Sequence, residues 1–365
     1  MKKLGEVADI GRGKSKHRPR DAEFLFGGKY PFIQTGDVRK ADLYLTEFTQ
    51  TYSEAGLQQS KLWNEDTLCI TIAANIAETS ILKIKACFPD SIIGLIPKEN
   101  RTIVLFVKYL FDKFKIEIQN LSQGAAQDNL NQDKLSKIEF TFPNIEEQKK
   151  ISSFLFSIDE RIQTQKKIIS ELSSQMSSLK DLIFEQRLRF KDNKGNKFSD
   201  WKQCKLEDIC EKQSSNISAN KIEDNFGDYP IYGATGILKN IDFYEIESDY
   251  VSIIKDGAGV GRLFYCKGKS SVLGTLDVIK SKGVNLYFIL LLLSRVDFKK
   301  YITGSTIPHI YFKDYKKEKI QIPSQEEQEK IAQFLKNLDN KINVEIEILT
   351  QYETQKKYLL QNLFV

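Results

Sequence analysis

Histidine and methionine each occur only twice in 365 residues, and cysteine only five times. The thiols, Cys69, Cys87, Cys204, Cys210 and Cys266, are odd in number and form no Cys-x-x-Cys pair, so neither a disulfide framework nor a zinc site is expected. His17 and His309 have no cysteines or acids at ligand spacing, which leaves no expected metal site. Eight prolines include no Pro-Pro dipeptide, which removes the (Asn/Asp)-Pro-Pro-aromatic motif of amino-methyltransferases. The longest apolar run, Leu286 to Leu293, is much too short to cross a bilayer. Met1-Lys2-Lys3 leads into Leu4-Gly5-Glu6-Val7-Ala8-Asp9, which is no signal-peptide apolar region. A cytoplasmic protein with no membrane partner is expected.

Other catalytic signatures are incomplete. Gly13-Lys14-Ser15 has the ending of a phosphate-binding loop, but the position requiring the first glycine is Ala8. Gly257-Ala258-Gly259-Val260-Gly261 lacks Gly-x-Gly-x-x-Gly spacing and opens no evident βαβ unit, so its glycines are expected in turns. No acid-x-Lys follows Pro89-Asp90 within the next forty residues to complete a nuclease metal site. The chain is expected to be no enzyme and to bind no cofactor or metal.

What the chain does contain is a globular composition, 41% hydrophobic and 28% charged, and enough length for two cores. The net charge of +5 is small, but it is unevenly placed: residues 1–40 carry ten Lys or Arg against five Asp or Glu. Within that stretch Arg12, Lys14, Lys16, Arg18 and Arg20 have no acid among them.

The chain also repeats itself. Pro143-Asn144-Ile145-Glu146-Glu147-Gln148-Lys149-Lys150-Ile151 aligns with Pro323-Ser324-Gln325-Glu326-Glu327-Gln328-Glu329-Lys330-Ile331 at an offset of 180. Phe154, Leu155, Asp159 and Ile162 continue the match at Phe334, Leu335, Asp339 and Ile342, and Gly124 faces Gly304. Near the start of each copy the offset widens, to 202 for Lys3-Leu4 against Lys205-Leu206 and 199 for Tyr30-Pro31 against Tyr229-Pro230. The first copy is therefore longer in a variable region that precedes a constant one.

Each constant region reads as a long helix. A capping residue, Asn144 or Ser324, precedes an acid-rich first turn. Apolar residues then recur in steps of three and four. They are Ile151, Leu155, Ile158, Ile162, Ile169, Leu172, Met176, Leu179 and Ile183 in the first, and Ile331, Leu335, Leu338, Ile342, Leu349, Tyr352, Leu359 and Leu363 in the second. Two sustained heptads predict mutual coiled-coil packing, interrupted at Gln165 and Glu345, which occupy equivalent positions suited to fixing register, and at Lys356. About forty residues at ~1.5 Å each would hold two domains apart.

The variable regions look mixed. Runs Thr67 to Ile72, Ser91 to Ile96, Tyr250 to Ile254 and Ser271 to Ile279 read as strands, and Ile103 to Ile118 and Leu286 to Tyr301 as helices. Phe190 to Asp200 reads as a polar connector.

The whole chain resembles the specificity subunits of type I restriction-modification enzymes. The resemblance rests on Pro143 to Gln148 and Pro323 to Gln328, the Lys-Leu-Gly-Glu-Val-Ala opening and Tyr30-Pro31-Phe32-Ile33-Gln34-Thr35-Gly36-Asp37-Val38. It also rests on Arg189-Phe190-Lys191-Asp192 leading to Trp201, and Tyr229-Pro230-Ile231-Tyr232-Gly233-Ala234-Thr235-Gly236. One departure is the start: Met1-Lys2 stands where the second copy has Trp201-Lys202-Gln203-Cys204 ahead of its Lys-Leu pair.

The resemblance implies an α+β chain with an internal pseudo-two-fold repeat, in which two mixed α/β target-recognition domains are separated by two long antiparallel coiled-coil helices. The expected parts are target-recognition domain 1 (1–142), the first helix (143–189), a connector (190–203), target-recognition domain 2 (204–322) and the second helix (323–365). The implied role is recognition of a bipartite, asymmetric site in double-stranded DNA. Implied partners are two modification (methyltransferase) subunits, which use S-adenosylmethionine, and restriction subunits that translocate and cleave with ATP. A specificity unit for a type II restriction-methylation enzyme, or a coiled-coil scaffold that binds no DNA, are the alternative readings.

Reading DNA needs Lys and Arg for phosphates and polar side chains for base edges. In the first domain the candidates are Arg12, Lys14, Lys16, Arg18 and Arg20, then Gln34, Thr35 and Asp37 after an expected turn at Tyr30-Pro31, then Gln123, Gln127 and Asn129. In the second they are Tyr232, Lys255, Arg262, Ser305, Thr306, His309, Tyr311 and Lys313.

Overall fold

The computed structural model describes residues 1–73, 75–121 and 130–364. The repeated segments start the two long helices, Ile145–Phe184 and Gln325–Leu363, by one hydrogen-bonding scheme. The N–H of Glu147 donates to Asn144 Oδ1 (2.9 Å) and that of Glu327 to Ser324 Oγ (3.5 Å), which satisfies a backbone donor at each helix start. One turn further, Gln148 and Gln328 are buried, and each Nε2 donates to the carbonyl of the proline five residues back (2.8 and 2.9 Å). Gln148 Oε1 accepts from Thr102 Oγ1 (2.8 Å), and Gln328 Oε1 accepts from the N–H of Asn285 (3.4 Å). The duplicated glutamine is thus a buried amide that ties each helix start to its own domain.

Contacts divide the chain into two compact units, Met1–Ile168 with Glu345–Val365, and Ile169–Val344. Each unit takes one part of each long helix.

In the first unit a five-stranded sheet runs in the order Ala8–Arg12, Ile92–Pro97, Leu68–Thr71, Thr79–Leu82, Tyr44–Leu45. The last strand pairs in parallel with Thr79–Leu82. Phe106, Tyr109, Leu110 and Phe111 from the helix Val104–Lys113 join Leu4, Val7, Leu155 and Phe364 in one core. The expected helix Ile103 to Ile118 is two helices, because the chain turns at Phe114, whose ring packs against Phe140 at 5.4 Å, before Lys115–Asn120 begins. Along the paired helix segments Leu155 and Ile158 are buried, with Ile151, Leu349, Leu359 and Leu363 half-buried.

The polar interruptions of this seam are partnered. Gln165, only 6% exposed, donates from Nε2 to the Glu345 carbonyl oxygen (3.0 Å) and to its Oε2 (2.5 Å). Lys356 Nζ lies 2.6 Å from Asp159 Oδ1, and Asp159 Oδ2 accepts from the Tyr109 hydroxyl at 2.7 Å. Pairing 165 with 345 and 159 with 356 sets the segments antiparallel. The Tyr109 hydroxyl is held above its ordinary pKa by burial and by the Asp159 charge.

In the second unit a four-stranded antiparallel sheet runs Cys210–Ser214, Leu276–Ser281, Tyr250–Ile254, Leu263–Cys266. Its core gathers Phe288, Ile289, Leu291 and Leu293 with Met176, Ile183, Ile331, Leu335 and Ile342. Leu172, Leu179 and Leu338 pack at its edge, half-buried. Tyr287 hydrogen-bonds Asp339, repeating the Tyr109–Asp159 pair. The expected helix Leu286 to Tyr301 ends at Leu293 and resumes as a 3-10 turn, Phe298–Tyr301. Between them Arg295 turns away to donate to Asp181 Oδ1 (2.7 Å) and lies over the Phe184 ring. The run Ser271 to Ile279 is likewise two strands, Ser271–Val272 and Leu276–Ser281, because the Gly274 N–H leaves the ladder to meet Ile217 O at 2.8 Å.

Replacing Gln165 and Glu345 together by Leu is expected to raise the thermal midpoint while loosening the register of the helix pair, as removal of a polar register-setter does in coiled coils. Disulfide trapping between cysteines introduced on the two helices measures it. An unaltered single register with unaltered solubility would remove this role from the pair.

Candidate nucleic-acid interface

In the first unit the basic loop grows out of the edge strand Ala8–Arg12. At Gly13 a Cβ would stand 2.2 Å from Pro89 O, so only glycine permits the approach. There the N–H of Gly13 reaches Ile92 O (2.9 Å) and that of Lys14 reaches Phe88 O (3.1 Å). Trp63 stacks on Phe88 beneath the loop, in space that side chains at Gly11 and Gly94 would occupy.

The five basic residues of the loop are exposed but do different things. Arg12 donates to Asp90 O, and Arg20 pairs with Asp90 Oδ2 at 2.8 Å. Arg18 bends back onto its own loop, donating to Ser15 O (2.8 Å) and His17 O (2.7 Å). Three of the five cations therefore shape the loop. Lys14 and Lys16 have no ion pair or hydrogen bond from their ammonium groups among the described residues. A third lysine, not singled out in the sequence, joins them: Lys61 sits 3.5 Å over the Trp63 ring. Burial, and then the Lys14 charge, depress its pKa.

Tyr30-Pro31 is not a turn; both residues lie in the strand Phe26–Phe32, paired antiparallel with Gln50–Tyr52. That partner strand brings the two candidate segments together, since Gln34 Nε2 donates to Gln50 Oε1 (2.8 Å) and Ser15 Oγ meets the Tyr52 hydroxyl (3.4 Å). Thr35 opens the helix Thr35–Lys40 and is half-buried. Asp37 is buried instead of facing outward: its Oδ2 accepts from the Gln34 N–H (2.8 Å) and from Thr49 Oγ1 (3.3 Å), capping that helix. Gln123, Gln127 and Asn129 lie outside the described residues.

In the second unit seven of the eight candidates converge. The Thr303–His309 loop closes on itself through paired N–H to O bonds of 2.8 and 2.9 Å. Gly304 adopts φ +87 there, with Ile307 O only 2.4 Å from where a Cβ would be. Two further bonds, Gly257 N–H to Pro308 O and Ile310 N–H to Lys255 O (both 2.9 Å), dock this loop beside Lys255 and the Gly257–Gly261 turn. Lys255 Nζ lies 3.4 Å from Asp277 Oδ1, a carboxylate 2% exposed that Lys212 also approaches at 3.8 Å. Arg262, exposed at the end of the turn, donates to Ala234 O (3.3 Å). Ser305 and Thr306 are exposed at the loop tip, next to Ile307, a fully apolar side chain 61% in water. His309 packs edge-on to Tyr311 (4.9 Å), and Lys313 Nζ stands 5.0 Å from the Tyr311 ring centre. Tyr232 does not join them: it is 8% exposed, packed in a core with Ile246 and Tyr250, and burial raises its hydroxyl pKa.

Ammonium and guanidinium groups of this kind meet phosphates, while hydroxyl, imidazole and phenol groups on rigid loops can meet base edges. Among the described residues no group of three or more His, Cys, Asp or Glu could hold a metal ion, and no helix is long and apolar enough to cross a membrane.

The profile of the type I restriction modification DNA specificity domain matches residues 1–174 and again 198–353, once for each copy of the repeat. The chain belongs to the type I restriction-modification DNA specificity family. It is 24% identical over 404 aligned residues to the type I restriction enzyme MjaVIII specificity subunit of Methanocaldococcus jannaschii, covering 99% of this chain and 91% of that one. The MjaIX specificity subunit of the same organism is also 24% identical, with 94% and 86% covered. The crystal structure of the type I restriction-modification S subunit from M. genitalium has the same fold, with a TM-score of 0.71 at 17% identity over all of this chain and 95% of that one.

The role of a specificity subunit is recognition rather than catalysis, so affinity for DNA in the assembled complex is the quantity to measure. Lys14, Lys16 and Lys61 changed together to Ala are expected to weaken binding on every sequence and to reduce the slope of log affinity against log salt by up to about 3. Anisotropy titrations across a salt series measure it, and an unchanged slope would take these lysines out of the interface.

Proposed function

We propose that this specificity subunit reads a bipartite, asymmetric site in double-stranded DNA, each unit reading one half. The loop cluster around Gly11 to Arg20 and Gln34 serves one half-site, and the cluster around Lys255, Arg262 and Thr303 to Lys313 serves the other. The spacer between half-sites is free in sequence. In this reading the two long helices recruit two modification subunits, which transfer methyl groups from S-adenosylmethionine, and restriction subunits that act with ATP. The chain itself holds no cofactor and works in the cytoplasm.

The observation that carries the proposal is the double family match over two copies whose frameworks agree while their exposed loops differ. Conserved caps and seams with divergent loops are what two readers of different sequences require. Two identical loop sets would instead read a palindrome.

The test is methylation mapping in a host that expresses the chain with its modification subunit. The expected result is one split adenine-methylated motif with unequal halves. A continuous or palindromic motif would contradict the proposal.

A further inference from the structure

The tip of the Thr303–His309 loop in the second unit carries an isoleucine among polar groups. Ile307 is 61% exposed, between Thr306 and Pro308. A lone apolar side chain in water is ordinary on a protein surface, but this one is fixed in place and has company. Pro308 restricts Ile307 to extended backbone, and Pro308 O accepts from the N–H of Gly257 at 2.9 Å. The Ile307 carbonyl lies over Gly304, where a Cβ would stand 2.4 Å from its oxygen. Ile302 and Tyr311, 38% and 45% exposed, flank the same loop.

The groups around Ile307 are engaged elsewhere or carry no choice between bases. Lys255 pairs with Asp277, Arg262 donates to Ala234 O, and Lys313 lies against the Tyr311 ring. Cations of this kind that meet phosphates do so whatever the sequence. The hydroxyls of Ser305 and Thr306 each donate or accept, so they meet the thymine O4 acceptor or the cytosine N4 donor equally well. An aliphatic side chain is committed: in the major groove thymine alone presents a methyl group. At the 180-residue offset the first copy has the amide Gln127 in this position, so the repeat changes chemistry here while it keeps glycine at 124 and 304.

We propose that Ile307 is a specificity-determining residue of the second half-site, which selects one thymine by contact with its C5-methyl group. The proposal rests on the second unit reading DNA through this loop. The contact carries no charge, so it acts on sequence choice and leaves salt dependence alone.

The test uses the complete subunit assembled with its modification subunits, and duplexes carrying the mapped split site. Each thymine of the second half-site, on both strands, is replaced in turn by deoxyuridine, which lacks only the methyl group, and affinity is measured by anisotropy competition. One replacement is expected to weaken binding about fourfold, the effect of burying one methyl group. With Ile307→Ala the thymine and uracil duplexes are expected to bind alike. Replacements in the first half-site should keep their effects in that variant, and the salt slope should be unchanged, which a general loosening of the loop would not give.

A second half-site without a T·A pair overturns the proposal. So does a methyl-dependent loss that persists in Ile307→Ala, or tighter binding of the unaltered complex to a duplex with a mismatched step there, the sign of an intercalating wedge. A complex that reads its split site but ignores every thymine methyl of that half overturns this proposal alone. A complex with no sequence preference overturns the half-site reading beneath it as well.

Discussion

Burial of the apolar stripes on the two long helices is the constraint from which the rest of the structure follows. A forty-residue helix with one apolar residue in every three or four cannot leave that face in water, where each buried aliphatic side chain is worth about 1.5–3 kcal/mol. In the first unit the stripe is covered by the antiparallel partner segment and by the domain helix bearing Phe106 and Tyr109. In the second it is covered by Phe288 and its neighbours together with the other half of the pair. Neither half-helix has a core of its own, so each domain is built around helix residues contributed by both copies of the repeat.

Against such a seam, buried polar groups serve to specify position. Asp159 with Tyr109 and Lys356, Gln165 with Glu345, and Gln148 and Gln328 at the helix starts are each hydrogen-bonded or ion-paired where an unpaired group would cost about 1–3 kcal/mol. A slip of either helix would break these bonds together. With the frame fixed, the loops at the sheet edges are free to differ. In the first unit the loop is pinned by Gly13 and braced by Trp63; in the second it is docked by backbone bonds to Gly257 and Lys255. Specificity can then change by loop replacement without touching the seam.

The helix starts and the heptads were legible in the sequence because they depend on local spacing: a cap, a glutamine one turn in, an apolar step of three or four. So was the repeat, and the match of Asp159 to Asp339 now has a cause in Tyr109 and Tyr287. What was not legible depends on partners distant in sequence. Arg18 reads as a free cation although one nitrogen of its guanidinium is bonded to its own loop, and Asp37 and Tyr232 read as surface groups until their burial is seen. Lys61 belongs to the basic cluster only because Trp63 folds beneath residue 14's loop. The helices near residues 114 and 294 broke where one side chain, Phe114 or Arg295, found a better tertiary contact than the helix offered.

The central claim is that two copies of one unit act as independent readers within a specificity subunit. Exchange of residues 1–142 for the corresponding region of another family member, followed by mapping of methylated sites in a host with the modification subunit, tests it most directly. The account predicts that one half of the recognised site changes while the other half is kept. Simultaneous change of both halves would contradict it.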